Sequence, residues 1–157
     1  MFRYLLPVAF GLAIAFAGAT PVEAHCEVPC GIYADQMRFE MMLEDHATIA
    51  KAMDKIRSYE SADPSKRSAQ ELNQQVRWVM TKEDHANKIQ HVIAQYFMTQ
   101  RLKPGADDAA QATYVDQLTK AHAVMVLAMK CKQTVDPANA AALRQAILAF
   151  HKSYETK

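Results

Sequence analysis

Apolar residues recur along most of this chain at helical spacing, and nowhere do they alternate as they would in a strand. Phe39, Met42, His46, Ile49, Met53 and Ile56 follow one another at steps of three and four, an apolar stripe holding one histidine. Asp35 is positioned to cap this helix, Ser58 to Asp63 end it, and Ser61-Ala62-Asp63-Pro64-Ser65 has turn composition. Ser68-Ala69-Gln70-Glu71 fits a capping box ahead of a second stripe, Leu72, Val76, Val79, Glu83, Ala86, Ile89, Ile93 and Tyr96. Lys103-Pro104-Gly105 stops that helix, which at about 33 residues would run about 50 Å and is long enough to break or bend. A third helix is expected from Asp107 to Cys131, with Tyr114, Leu118, Ala121, Met125 and Ala128 inward. Asp136-Pro137 opens a fourth, carrying Leu143, Ile147, Phe150 and Tyr154. Four amphipathic helices with short connections predict an all-α, up-down four-helix bundle over residues 34–157. In it Met41, Met42, Met53, Met80, Met125 and Met129 read as packing rather than as a soft-metal box.

At 157 residues the chain has room for one domain with a real core. Its net charge of +1, from 18 basic and 17 acidic residues, gives no clustered basic field for nucleic acid or a membrane surface. Residues 1–24 read as a cleavable leader: Arg3 is its positive start, Leu5 to Ala17 is almost wholly apolar, and Val22-Glu23-Ala24 has small residues where a peptidase needs them. The apolar run of about 13 to 15 residues is short of the roughly 20 that a spanning helix requires. Lipidation at Cys26 is not expected, because His25 stands where a small residue would be needed, and there is no twin-arginine motif. These features predict export to the periplasm or the exterior, without stable membrane association after cleavage. Such a compartment also permits a Cys26–Cys30 disulfide.

Cleavage after Ala24 would make His25 the first residue of His25-Cys26-Glu27-Val28-Pro29-Cys30-Gly31-Ile32-Tyr33. The new amine, the Cys26 amide nitrogen and the Cys26 thiolate would then form fused five-membered chelate rings, which favour a plane. Cys30 can close the fourth corner, and the His25 imidazole can reach an axial position. Planar nitrogen and sulfur ligation suits Ni(II) or Cu(II) better than the tetrahedron of zinc. Thiolates also stabilise a higher oxidation state, which opens a one-electron couple.

This run resembles the nickel hook of the nickel-containing superoxide dismutases, H-C-x-x-P-C-G-x-Y, which His25, Cys26, Pro29, Cys30, Gly31 and Tyr33 match. The resemblance implies a four-helix bundle behind a removable leader, assembled as a homohexamer with one nickel ion per subunit. It implies that His25, Cys26 and Cys30 hold the metal, and that Ni(II)/Ni(III) cycling converts superoxide into dioxygen and hydrogen peroxide. Pro29 would turn the hook, while the Glu27 and Cys30 amides and the Tyr33 hydroxyl would line the anion's approach. In the family, a glutamate in an arginine-x-glutamate setting orients the axial imidazole. Arg38-Phe39-Glu40 matches it, one residue closer to Tyr33 than in the family. The family's second partner is an arginine on the second helix; His85 occupies that register here, and Glu83 on the apolar stripe is the alternative.

The remaining candidates read as structural. His46 is expected to be a hydrogen-bonded core histidine, His91, His122 and His151 ordinary bundle or surface residues, and Cys131 a buried free thiol near a helix end. Lys82 and Lys88 are expected on a solvated face. Two other functions fit the residues: an exported helical nickel- or copper-binding protein without redox turnover, and an interaction domain with Cys26–Cys30 as a disulfide. Superoxide turnover separates the enzyme from the first, and an intact disulfide in metal-loaded protein would favour the second.

Overall fold

The structure, a computed structural model, describes residues 35–60 and 63–155. The leader, the hook and Tyr33 lie outside the described residues. Helix α1 spans Gln36–Arg57; after a 3-10 turn at Pro64–Lys66, α2 spans Ala69–His91 and runs on as a π-helical segment, Val92–Arg101. Helices α3, Asp108–Gln133, and α4, Pro137–Glu155, complete the bundle. The start signals expected for α2 and α3 do their work, whereas Asp35, expected to cap α1, makes no side-chain capping bond because Tyr96, Arg101 and Tyr154 occupy its carboxylate. Ser68 Oγ accepts the Glu71 amide at 3.2 Å while Glu71 Oε2 accepts the Ser68 amide at 2.8 Å, a full capping box. Asp107 caps α3 through the Ala110 amide at 2.8 Å. In the loop between, Gly105 passes so close to α3 that a Cβ there would sit 2.0 Å from the Gln111 nitrogen.

Each helix packs on its neighbours in sequence, and α1 also packs on α4. Cross-helix bonds fix the directions: His46 of α1 reaches Ala140 at the start of α4, and Gln90 of α2 reaches Met125 of α3. The result is the up-down four-helix bundle that the stripes predict. Phe39, Phe97 and Phe150 are fully buried where the start of α1 meets the π segment and the end of α4. Their ring centroids lie 4.8 Å apart for Phe39–Phe97, 5.3 Å for Phe39–Phe150 and 5.0 Å for Phe97–Phe150. These tilted and edge-on pairings suit the aromatic quadrupole. The His151 ring stacks on Phe39 at 4.1 Å, and its Nε2 meets Glu155 at 3.0 Å.

Three expectations need correction. In α2, Leu72, Val76 and Val79 do not reach the core but stay 48%, 58% and 40% exposed, with Met80 at 59%. The reason is length: α3 ends opposite Lys82, so the first turns of α2 project past it. Met41 and Met129 are also exposed, so of the six methionines read as packing only Met42 and Met53 are fully buried, with Met125 half-buried. In α3 the buried row is Gln117, Ala121, Val124, Ala128 and Cys131, sharing its alanines with the expected row. Tyr114, Leu118 and Met125 flank it, half-buried. Gln117 is tolerated there because its amide nitrogen donates to the Ser153 carbonyl at 3.0 Å.

Lys82 is the third correction. Its side chain is buried, not solvated: the ammonium donates to the carbonyl of Cys131 at 2.8 Å and to that of Lys132, and pairs with Glu83 at 3.1 Å. The last carbonyls of a helix have no partner within it, and a cation there also suits the helix dipole. Lys82→Met keeps the stem and removes these bonds, so it should lower the unfolding free energy by about 2 kcal/mol. Urea denaturation checks this; an unchanged midpoint would count against the capping role.

Candidate metal centre

Among the described residues, no group of three or more His, Cys, Asp or Glu side chains is placed to hold a metal. His46 belongs to no such group and is held by the bundle itself. Its Nε2 donates to the Ala140 carbonyl at 2.9 Å, and burial, the largest influence, keeps the imidazole below its usual pKa. Cys131 is a buried free thiol, and burial pushes its pKa up to about 11, so it stays protonated at neutral pH. The expected planar-metal donors, His25, Cys26 and Cys30, lie outside the described residues; their nitrogen and thiolate chemistry is of a kind that suits nickel.

Asp35, two residues after Tyr33, is gripped by side chains from the π segment and α4: Arg101 Nη2 donates to it at 2.5 Å, Tyr154 donates at 2.5 Å, and Tyr96 donates to its other oxygen. Burial opposes the Asp35 charge, but bonds from Tyr154, Tyr96 and Arg101 together outweigh it and hold the carboxyl below its usual range. Arg38 lies over the Tyr96 ring, 4.6 Å from its centroid.

Glu40 is exposed on α1, and Gln36 Nε2 donates to its Oε1 at 3.0 Å. His85 faces α1, where its Nδ1 lies 2.6 Å from Asp45 Oδ1. This pair lines a cavity of about 660 Å³ between α1 and α2, bordered also by Arg38, Met41, Lys88 and His91. Glu83 is turned away, to Lys82. Of the two second-helix alternatives, His85 is thus the one on the α1–α2 cavity. Asp45 was not singled out by sequence reasoning, although its place three residues after Met42 and four before Ile49 puts it at the edge of the buried stripe.

A family model described as nickel-containing superoxide dismutase matches residues 20–157, which takes in both the hook and the whole bundle. The chain belongs to this family. No curated protein and no solved structure gave a match. As a nickel-containing superoxide dismutase it is an oxidoreductase that disproportionates superoxide into dioxygen and hydrogen peroxide, with nickel as its cofactor.

The His46 environment carries a pH prediction. Its imidazole binds a proton less readily in the folded state than the usual value of 6.5 allows, so folding is favoured above that value and loses this contribution as pH falls through it. His46→Gln keeps a donor for Ala140 without the titration. Its melting temperature should therefore fall less than that of the parent protein between about pH 7.5 and about pH 5.5. Equal falls in calorimetry would refute the assignment.

Proposed function

We propose that this superoxide dismutase is exported, loses residues 1–24, and builds its metal site from the new terminus. The single observation that carries the reading is the His25-Cys26-x-x-Pro29-Cys30-Gly31-x-Tyr33 run, lying within the matched residues of a nickel-enzyme family. The His25 amine and imidazole, the Cys26 amide nitrogen and the thiolates of Cys26 and Cys30 would hold the ion. Nickel held there would supply the one-electron couple that superoxide disproportionation needs. The chain's own groups do the rest: the Glu27 and Cys30 amides and the Tyr33 hydroxyl line the anion's approach, and Pro29 turns the backbone. Glu40 orients the imidazole; its exposure on α1 leaves the carboxylate accessible to such a partner. Where the family has an arginine on the second helix, His85 stands paired with Asp45.

An extra residue ahead of His25 would remove the terminal amine from the ligand set. Protein extended by one residue should lose nickel and activity together, as should Cys26→Ser and Cys30→Ser, whereas Tyr33→Phe should keep nickel and much of its turnover. Metal analysis beside a superoxide assay reads all four. Normal dismutation by the extended form would overturn the ligand set.

The assembly is proposed to be a homohexamer, the number implied by the family resemblance. Support comes from the uncovered apolar face of α2, Leu72, Val76, Val79 and Met80, and from exposed Met37 and Met41 near the hook. Burial between subunits would also shield the thiolates from water and peroxide. Val76→Glu combined with Met80→Glu should break the hexamer into smaller species in native mass spectrometry. That measurement also reports the mature terminus and the metal, and an intact hexamer would remove this face from the interface.

A further inference from the structure

Asp35 stands at the N-cap of α1 in helical conformation, yet its side chain makes no capping bond. A capping aspartate contributes about 1 kcal/mol. Asp35 forgoes this for partners 61, 66 and 119 residues away in sequence: Tyr96, Arg101 and Tyr154. Arg101 adds a second bond through Nε at 3.1 Å and is itself 3.3 Å from the Tyr154 hydroxyl. The carboxylate therefore takes four donated bonds from two other elements.

The π segment makes that convergence possible. Tyr96 and Arg101 are five residues apart, which in an α-helix would turn them about 140° from each other. Bonding from i to i+5 winds the backbone more widely and brings such residues onto one side. The same spacing recurs in side-chain bonds, Thr99 Oγ1 to the Ala94 carbonyl at 2.7 Å and Gln100 Nε2 to the Gln95 carbonyl at 3.0 Å, and in the closing bond from the Leu102 amide to the Phe97 carbonyl at 2.8 Å. The core does not need this anchor to seat α1, because Phe39, Met42 and Ile49 are fully buried on their own account. What Asp35 fixes is the point where the chain ahead of α1 joins the bundle, two residues after Tyr33 and five after Cys30.

We propose that Asp35, clamped by Tyr96, Arg101 and Tyr154, is a positioning residue that sets the base of the hook and thereby the placing of Tyr33 relative to the metal. The proposal rests on the hook reading above. It predicts that loosening the clamp leaves the ligands intact but lets the site adopt more than one geometry. A misplacement of about 1 Å can cost up to about a hundredfold in rate.

The test is Asp35→Asn in the processed, nickel-loaded protein, with Tyr154→Phe as the milder variant should the first fail to fold. Nickel content should match the parent protein. The electron paramagnetic resonance of the oxidised metal should broaden into more than one species, activity per bound nickel should fall by roughly tenfold or more, and amide exchange in residues 31–38 should quicken. For Tyr154→Phe the same changes should appear at roughly threefold in activity. A variant that only melts at lower temperature, with its signal and activity per nickel unchanged, would show a merely structural clamp and overturn the proposal. If the parent protein binds no nickel, the hook reading fails separately, and the clamp is judged on exchange alone: faster exchange sustains it and unchanged exchange overturns it.

Discussion

The contact among Phe39, Phe97 and Phe150 is the constraint on which the hook end of the bundle depends. Each ring comes from a different element, so burying them together fixes the start of α1, the π segment and the end of α4 in one step. Full burial of one such ring contributes roughly 1.5–3 kcal/mol, and edge-on geometry adds to it. Tyr96 and Tyr154 continue the cluster outward: each packs its ring against Phe97 and sends its hydroxyl to Asp35. An apolar core thus grades, through two tyrosines, into a polar clamp at the place where the hook is attached. Because Tyr and Arg act there as donors, the half-buried carboxylate keeps its charge.

The opposite end follows another logic. Helix α2 with its π continuation spans Ala69–Arg101, longer than any of its neighbours. Lys82 marks where α3 stops, and its ammonium takes over the helix-end carbonyls that no further turn of α3 can satisfy. Beyond that point Leu72, Val76, Val79 and Met80 have apolar spacing but nothing to cover them within the described residues. A stripe that continues past the end of its partner makes sense in a chain that completes its packing by assembly.

The sequence made most of the bundle legible, since capping boxes, Asp-Pro and Pro-Gly are local signals whose physics does not wait for the fold. The hook motif is likewise a local pattern, since its donors are contiguous, but it lies outside the described residues. What could not be read was relational. That Leu72 and Val76 would stay exposed depends on where α3 ends, which a periodic stripe does not encode. Lys82 lies on the buried side although its charge argues for solvent, because only the folded chain brings the carbonyls of Cys131 and Lys132 to it. The length of α2 hinted at a break, but the π register answers to Asp35, far away in sequence. Asp45 was overlooked for want of a partner until His85 was seen across the α1–α2 cavity.

These observations divide the work between the two parts of the chain. The described bundle holds no cluster of metal donors; its one free cysteine is buried and protonated, and His46 donates to a carbonyl. On the proposed reading the redox chemistry of the family resides in the nine residues His25 to Tyr33. A peptide that short gains a fixed geometry in two ways: from chelate rings, which lock the ligands to one another, and from a rigid attachment, which locks them to everything else. In the proposed site nickel would provide the first and the clamp at Asp35 the second. On this proposal the bundle contributes to superoxide dismutation without touching the reacting atoms, by giving a short run of ligands one place to start from.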